Sequence, residues 1–137
     1  MPAPNPVTPP EPVLRDDAVE LRPWGMPGGD GLTLAVIERG SATPRGHIGL
    51  RVLEDDREVA EVVHDDVHTT AVRLLAAWAL RRWGLARLQL ATPVDDTASQ
   101  DAAEEAGFRR EGVLRSWSEV DGRRIDMVMF SLLPGDL

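Results

Sequence analysis

The chain contains no cysteine, no lysine and no tyrosine among its 137 residues. Without cysteine there are no disulfides, no thiolate nucleophile and no cysteine-ligated metal. All 15 basic residues are arginine, so Schiff-base chemistry and a phosphate-loop lysine are excluded as well. The missing tyrosine removes phenolic acid–base chemistry. Aromatic residues are few, four tryptophans and two phenylalanines. There is also no glycine between Gly49 and Gly84. No apolar run is long enough to span a bilayer, and the N-terminus is proline-rich rather than signal-like, which makes a cytoplasmic protein the expectation. Positive charge is the minority: the net charge is -8, and nucleic acid, which wants a basic stripe, is not expected as a partner.

What is present suffices for one domain with a core, since 42% of residues are hydrophobic. Residues 1–17, carrying Pro2, Pro4, Pro6, Pro9, Pro10 and Pro12, read as a flexible tail with polyproline character, and 18–137 as the single domain. Val19 to Leu21 begins a short strand before Pro23. The run from Gly25 to Gly31 reads as a loop. Leu32 to Ile37, His47 to Leu53 and Glu58 to Val63 read as strands separated by turn residues. Val67, Ala71, Leu74, Leu75 and Trp78 then recur at helical spacing, with Asp65 or Asp66 as the expected N-cap and Gly84 after the Arg81-Arg82 end. Leu85 to Leu90 alternates as a strand that Pro93 ends. A second helix runs from about Thr97, which has capping-box spacing to Gln100, to Ala106, and Gly107 stops it. Two closing strands, Val113 to Glu119 and Arg123 to Leu132, flank Asp121-Gly122, a type I′ hairpin signal. The pattern is α+β: a mostly antiparallel sheet covered by two main helices and ending in a β-hairpin.

The most informative stretch is Asp96-Thr97-Ala98-Ser99, the short helix, and then Gly107-Phe108-Arg109-Arg110-Glu111-Gly112-Val113-Leu114-Arg115. It resembles the second half of the GNAT acetyltransferase fold, in the branch acting on protein N-termini and ribosomal proteins, where Asn-x-x-Ser precedes Gly-Phe-x-x-Glu-Gly-x-x-Arg. Here Asp96 replaces the asparagine. The resemblance covers about Leu32 to Leu133 and implies a central sheet whose strands at Glu58 to Val63 and Leu85 to Leu90 splay apart. It implies transfer of an acetyl group from acetyl-CoA to an amine. The cofactor's arm would enter the splay, and its pyrophosphate would sit on the N-terminus of the intervening helix.

By family position, the resemblance implies cofactor contacts at Val62, Val63, His68, Thr69, Thr70, Leu90, Asp96, Ser99 and Phe108. It implies acid–base roles for Ser99 and Glu61, the first in place of tyrosine and the second relaying the amine's proton through water. Each has a plainer alternative. Ser99 reads as bonding the first turn of its helix, Glu61 as a solvated strand residue, and Asp96 as an N-cap. The family's glycine-rich phosphate loop has no counterpart in His64-Asp65-Asp66-Val67-His68-Thr69-Thr70, where two carboxylates are expected to repel an anion. Trp24 to Asp30 is too short for the two helices that form the family's acceptor groove. The expectation is therefore an acetyltransferase relative with weak or lost activity. The alternative is a catalytically silent binding or regulatory module, dimeric in its simplest form, or a binder of some other small ligand.

His64 and His68 are four residues apart, but no third ligand matches them, so no metal is expected. All four tryptophans read first as packing, with Trp78 in the core stripe and Trp83 off it, where it could cover an interface. Arg109, Arg110, Arg115, Arg123 and Arg124 read as a solvated rim. Asp126 reads as structural, paired with Arg115 across the hairpin.

Overall fold

The computed structural model describes residues 14–24, 31–65 and 67–137. The loop expected over Gly25 to Gly31 lies outside them except for Gly31, as does the proline-rich segment through residue 13. Among the described residues, eight strands form one sheet. They are β1 (Leu14–Arg15), β2 (Val19–Pro23), β3 (Gly31–Glu38), β4 (Gly46–Val52), β5 (Val59–His64), β6 (Arg87–Pro93), β7 (Arg109–Val120) and β8 (Arg123–Leu132). Their spatial order is β1-β2-β3-β4-β5-β6-β8-β7, and every neighbouring pair is antiparallel except β5–β6. The helices are α1 (Thr69–Ala77) and α2 (Thr97–Glu105). The sheet takes in Leu14 and Arg15, which belong to the segment read as tail and pair with Leu21 and Glu20.

The alternation visible in the sequence sets the two faces. Leu88 and Leu90 of β6 stand opposite Leu132 and Phe130 of β8, and all four are buried. They join Leu50 and Val62 from the sheet, Val72 and Leu75 from α1, and Ala103 from α2 in one core. Each such large side chain contributes about 1.5–3 kcal/mol by leaving water. Both helices cover this face. They are also tied to each other, since Thr69 Oγ1 donates to Glu105 Oε2 (3.3 Å) and Arg73 Nη2 to the Glu105 carbonyl (2.8 Å). On the opposite face, Arg51, Glu61 and Val63 belong to the other half of the alternation.

Two backbone features are dictated by residue type. A Cβ on Gly49 would lie 2.2 Å from the Leu32 carbonyl oxygen, so only glycine lets β3 and β4 approach there. Asp121 (φ 52°) and Gly122 (φ 78°) close the β7–β8 hairpin in the type I′ geometry their dipeptide signals.

The first helix departs from the expected pattern at its end. After α1 the chain makes a π-turn over Trp78–Arg82, with Trp83 N–H donating to the Trp78 carbonyl five residues back (3.1 Å). The wider turn shifts the α-helical phase and carries Trp83 into the core, leaving it 9% exposed. Trp78 is only partly buried, and the two rings stack with centroids 5.7 Å apart. This reverses the expectation for the two tryptophans, because a strict 3.6-residue period does not hold there.

Candidate active site

The parallel pair β5–β6 is short. Val59, Ala60 and Glu61 pair with Arg87, Leu88 and Gln89, and beyond Glu61 and Gln89 no further pairs form. The strands splay because β5 continues in register with β4 while β6 follows β8 to Pro93. Across the opening, His64 Nε2 lies 3.1 Å from the Ala91 carbonyl oxygen. A carbonyl only accepts, so Nε2 carries the proton. Its Nδ1 is buried and has no hydrogen-bond partner among the described residues.

Beside the splay lies an open cavity of about 580 Å³. Its apolar walls come from Val62, Val63, Ala91, Pro93 and Met127, and its charged walls from Arg51, Glu61, Asp65 and Asp96. Trp117 and Ser118 reach it from β7. Glu61, expected as a proton relay, is ion-paired with Arg51, its cross-strand partner on β4. Its side chain is therefore engaged rather than merely solvated.

The start of α1 differs from expectation. The N-cap is His68, whose Nδ1 accepts from the Ala71 N–H at 3.3 Å, and the first turn contains no acidic residue. Asp65 does not cap the helix. Its Oδ2 accepts from the His47 N–H (3.2 Å) and lies 3.5 Å from His47 Nδ1, drawn toward β4 by that residue. Asp66 lies outside the described residues. His64 and His68 do not meet at one site: the first bonds Ala91 across the sheet, and the second bonds its own helix.

The start of α2 matches the plainer reading. Asp96 Oδ1 accepts from the Ser99 N–H at 3.1 Å, which makes Asp96 the N-cap. The Thr97–Gln100 capping box does not form, since the cap is one residue earlier. Gln100 Nε2 instead donates to the Pro93 and Val94 carbonyls, each at 3.0 Å. Ser99 is 6% exposed and is not a wall of the cavity that holds Glu61.

Of the residues implied by family position, Val62, Val63 and Asp96 stand together on the cavity with Glu61. Leu90 and Phe108 are core residues. His68, Thr69 and Thr70 lie at the start of α1, and Thr70 faces a separate groove with Arg73 and Arg81.

The Glu-Gly of the resembling motif has a structural explanation. Glu111 occupies a bulge on β7, held by Arg87 through two bonds (2.6 and 2.9 Å) and by the Ser131 hydroxyl (2.8 Å). Hydrogen bonding from Arg87 first, and then from Ser131, lowers its pKa from 4.5 to about 2 against a smaller opposing effect of burial. A second, wider irregularity spans Leu114 to Ser118. Asp126 Oδ1 accepts there from the Ser116 N–H (2.8 Å) rather than pairing with Arg115, and Arg124 Nε donates to the Ser116 carbonyl (3.1 Å). Ser116 takes a positive φ of 51°, and Trp117 stands 52% exposed. Sequence reasoning weighed His64 only as a metal ligand and Trp117 only as packing, and missed the positions they take here. Neither has a local signal, because each acquires its position from strands distant in sequence.

The strand order, the single parallel pair that splays, and the helix between its strands define the GNAT fold. Comparison with known proteins gives the same class. A probable GNAT-family acetyltransferase from Chromobacterium violaceum superposes with a TM-score of 0.78 at 23% identity, covering 99% of this chain and 91% of that one. A GCN5-related N-acetyltransferase from Brucella melitensis superposes with a TM-score of 0.79 at 21% identity, covering 98% and 83%. In sequence, an uncharacterized N-acetyltransferase p20 from Bacillus licheniformis is 27% identical over 96 residues, 64% of this chain and 54% of that protein. The chain thus matches about half the length of that relative. No family model matches the chain.

Proposed function

We propose that the protein is a relative of the GNAT N-acetyltransferases whose hold on acetyl-CoA is eroded, leaving acetyl transfer weak or lost. The observation that carries this reading is His64 across the splay. Its imidazole occupies the opening in which the cofactor's arm would lie and uses the Ala91 carbonyl that β6 presents there. The residues before α1 fit a pyrophosphate no better. The link from β5 to α1 has no glycine for close backbone approach and no arginine or lysine. The N–H of Ala71 is already bonded to His68. The residues present therefore do not match acetyl-CoA, and no catalytic step is assigned to Glu61 or Ser99. The ion pair on Glu61 and the burial of Ser99 away from the cavity favour structural roles for both.

Isothermal titration calorimetry with acetyl-CoA tests the reading. Wild-type protein is expected to show no saturable binding below the millimolar range, and His64→Gly is expected to bind more tightly than wild type. Micromolar binding by the wild type would overturn the proposal. A silent binding module is the second reading, favoured by the cavity staying open to solvent on the sheet face while the splay itself is bridged.

A further inference from the structure

We propose that the groove between α1 and the end of β8 binds an alkyl carboxylate, with the head on Arg81 and the chain over Leu74 and Leu132. This groove shares no wall residue with the cavity that holds Glu61, and its occupancy requires neither acetyl-CoA nor an amine.

Three observations carry the assignment. The first is a charge left unanswered. Arg81 lines the groove and is exposed, and among the described residues no carboxylate, that of Leu137 included, pairs with it. The acids that share the groove are engaged elsewhere. Asp136 Oδ1 lies 3.2 Å from Arg109 Nη2, and its Oδ2 accepts from the Leu133 N–H at 3.0 Å. Asp16 Oδ1 accepts from the Ala18 and Val19 N–H groups at 2.7 and 2.9 Å, and the cations it attracts are His68 and Arg73. The Arg81 fork is therefore open to a planar, two-oxygen anion, the partner its geometry matches.

The second is the apolar lining. Leu74, Ala77, Ala106, Leu132 and Leu137 face the same space, which measures about 410 Å³. That size falls in the range of small-molecule sites. Alanine at 77 and 106 leaves open what a larger side chain would fill. A small inorganic anion would leave this apolar surface bare, and an uncharged alkyl chain would leave Arg81 unanswered. An alkyl carboxylate satisfies both.

The third is that the walls are fixed. Leu132 is 1% exposed and Ala106 7%, so the floor belongs to the packed core. Arg73 Nη2 donates to the Glu105 carbonyl at 2.8 Å, which ties the α1 wall to the end of α2. Arg81 itself sits in the π-turn over Trp78–Arg82, a turn type that recurs at functional sites. A groove with a preset floor loses little freedom when a ligand arrives.

The test follows the methyl signals of Leu74 and Leu132 by NMR in the full chain, with the Met127 methyl on the other sheet face as reference. The protein is titrated with sodium octanoate, sodium acetate, octanol and octylammonium chloride at matched ionic strength. Octanoate is expected to give saturable shifts at both leucines in the millimolar range or below, with Met127 unmoved. Acetate, which lacks the chain, and octanol and octylammonium, which lack the anion, should bind at least about fivefold more weakly. Arg81→Gln should weaken octanoate by about five- to tenfold and leave octanol unchanged, and Arg81→Lys should weaken it less. Ala77→Phe, which fills the groove, should abolish the octanoate shift at Leu132. Circular dichroism of each variant confirms that the fold is intact. No saturable octanoate shift below about 10 mM would overturn the proposal. So would octanol or octylammonium binding as tightly as octanoate, or an Arg81→Gln affinity within about twofold of wild type. The calorimetric result with acetyl-CoA stands whichever way these titrations fall.

Discussion

The protein makes the same passage twice, from a strand into a nine-residue helix capped through its N3 backbone N–H, and the two passages are built differently. At β6–α2 the cap is a carboxylate, Asp96, at 3.1 Å from its donor. Behind it, Gln100 ties the helix back to the end of the strand through the Pro93 and Val94 carbonyls. At β5–α1 the cap is a neutral imidazole, His68, at 3.3 Å, and the neighbouring aspartate turns away to His47. An anionic cap complements a helix N-terminus, while an imidazole only fills a hydrogen-bond site. The difference shows that both helix starts can be satisfied internally by quite different side chains. A helix that caps itself has less to offer a phosphate.

Four substitutions break or sharpen this contrast. The largest effect is expected from Gln100→Ala, which leaves two carbonyls without their side-chain donor; a loss of about 2 kcal/mol should appear in urea unfolding. Asp96→Ala should cost about 1 kcal/mol in the same measurement, as removal of an acidic or hydroxyl N-cap does elsewhere. Glu111→Gln probes what backs the second passage, because Glu111 clamps β6 through Arg87 and β8 through Ser131. The folded-state pKa of about 2 lies below the reference value of 4.5. The carboxylate therefore contributes its full stability above about pH 4.5, and that contribution is lost as pH falls toward about 2. The gap between wild type and Glu111→Gln should shrink through that window in acid unfolding curves, and a constant gap would contradict the assignment. The smallest effect is expected from His68→Ala, ~0.5 kcal/mol or less. A loss equal to that of Asp96→Ala would erase the contrast between the two caps.

Legibility in the sequence followed the range of the signals. Asp121-Gly122, Gly107 after α2, and the Leu88–Leu90 alternation act locally, and the hairpin, the helix stop and the core strand stand as read. The Gly-Phe-x-x-Glu-Gly stretch pointed to the correct fold, although its glutamate needed Arg87 and Ser131 to explain it. The capping aspartate of α1 was misplaced because His47, which holds Asp65, lies 18 residues away in sequence. The phases of Trp78 and Trp83 were reversed because a π-turn leaves no mark in an α-helical periodicity. Trp117 read as packing because only the long-range bulge lifts it into solvent.

The three residue pairs that join β5 to β6 have a mechanical meaning. They are the only strand pairing between a five-stranded plate and a three-stranded one, among the described residues. Across that line the two plates are held further by the Glu58 carbonyl, which accepts from the Ala86 and Arg87 N–H groups (2.8 and 3.3 Å), by the His64–Ala91 contact and by the helices lying over both. Amide exchange should report the difference as a line of early opening at Val59 to Glu61, with the antiparallel interiors of both plates exchanging later. The domain behaves as two leaves with a spine, and the spine is three residues long.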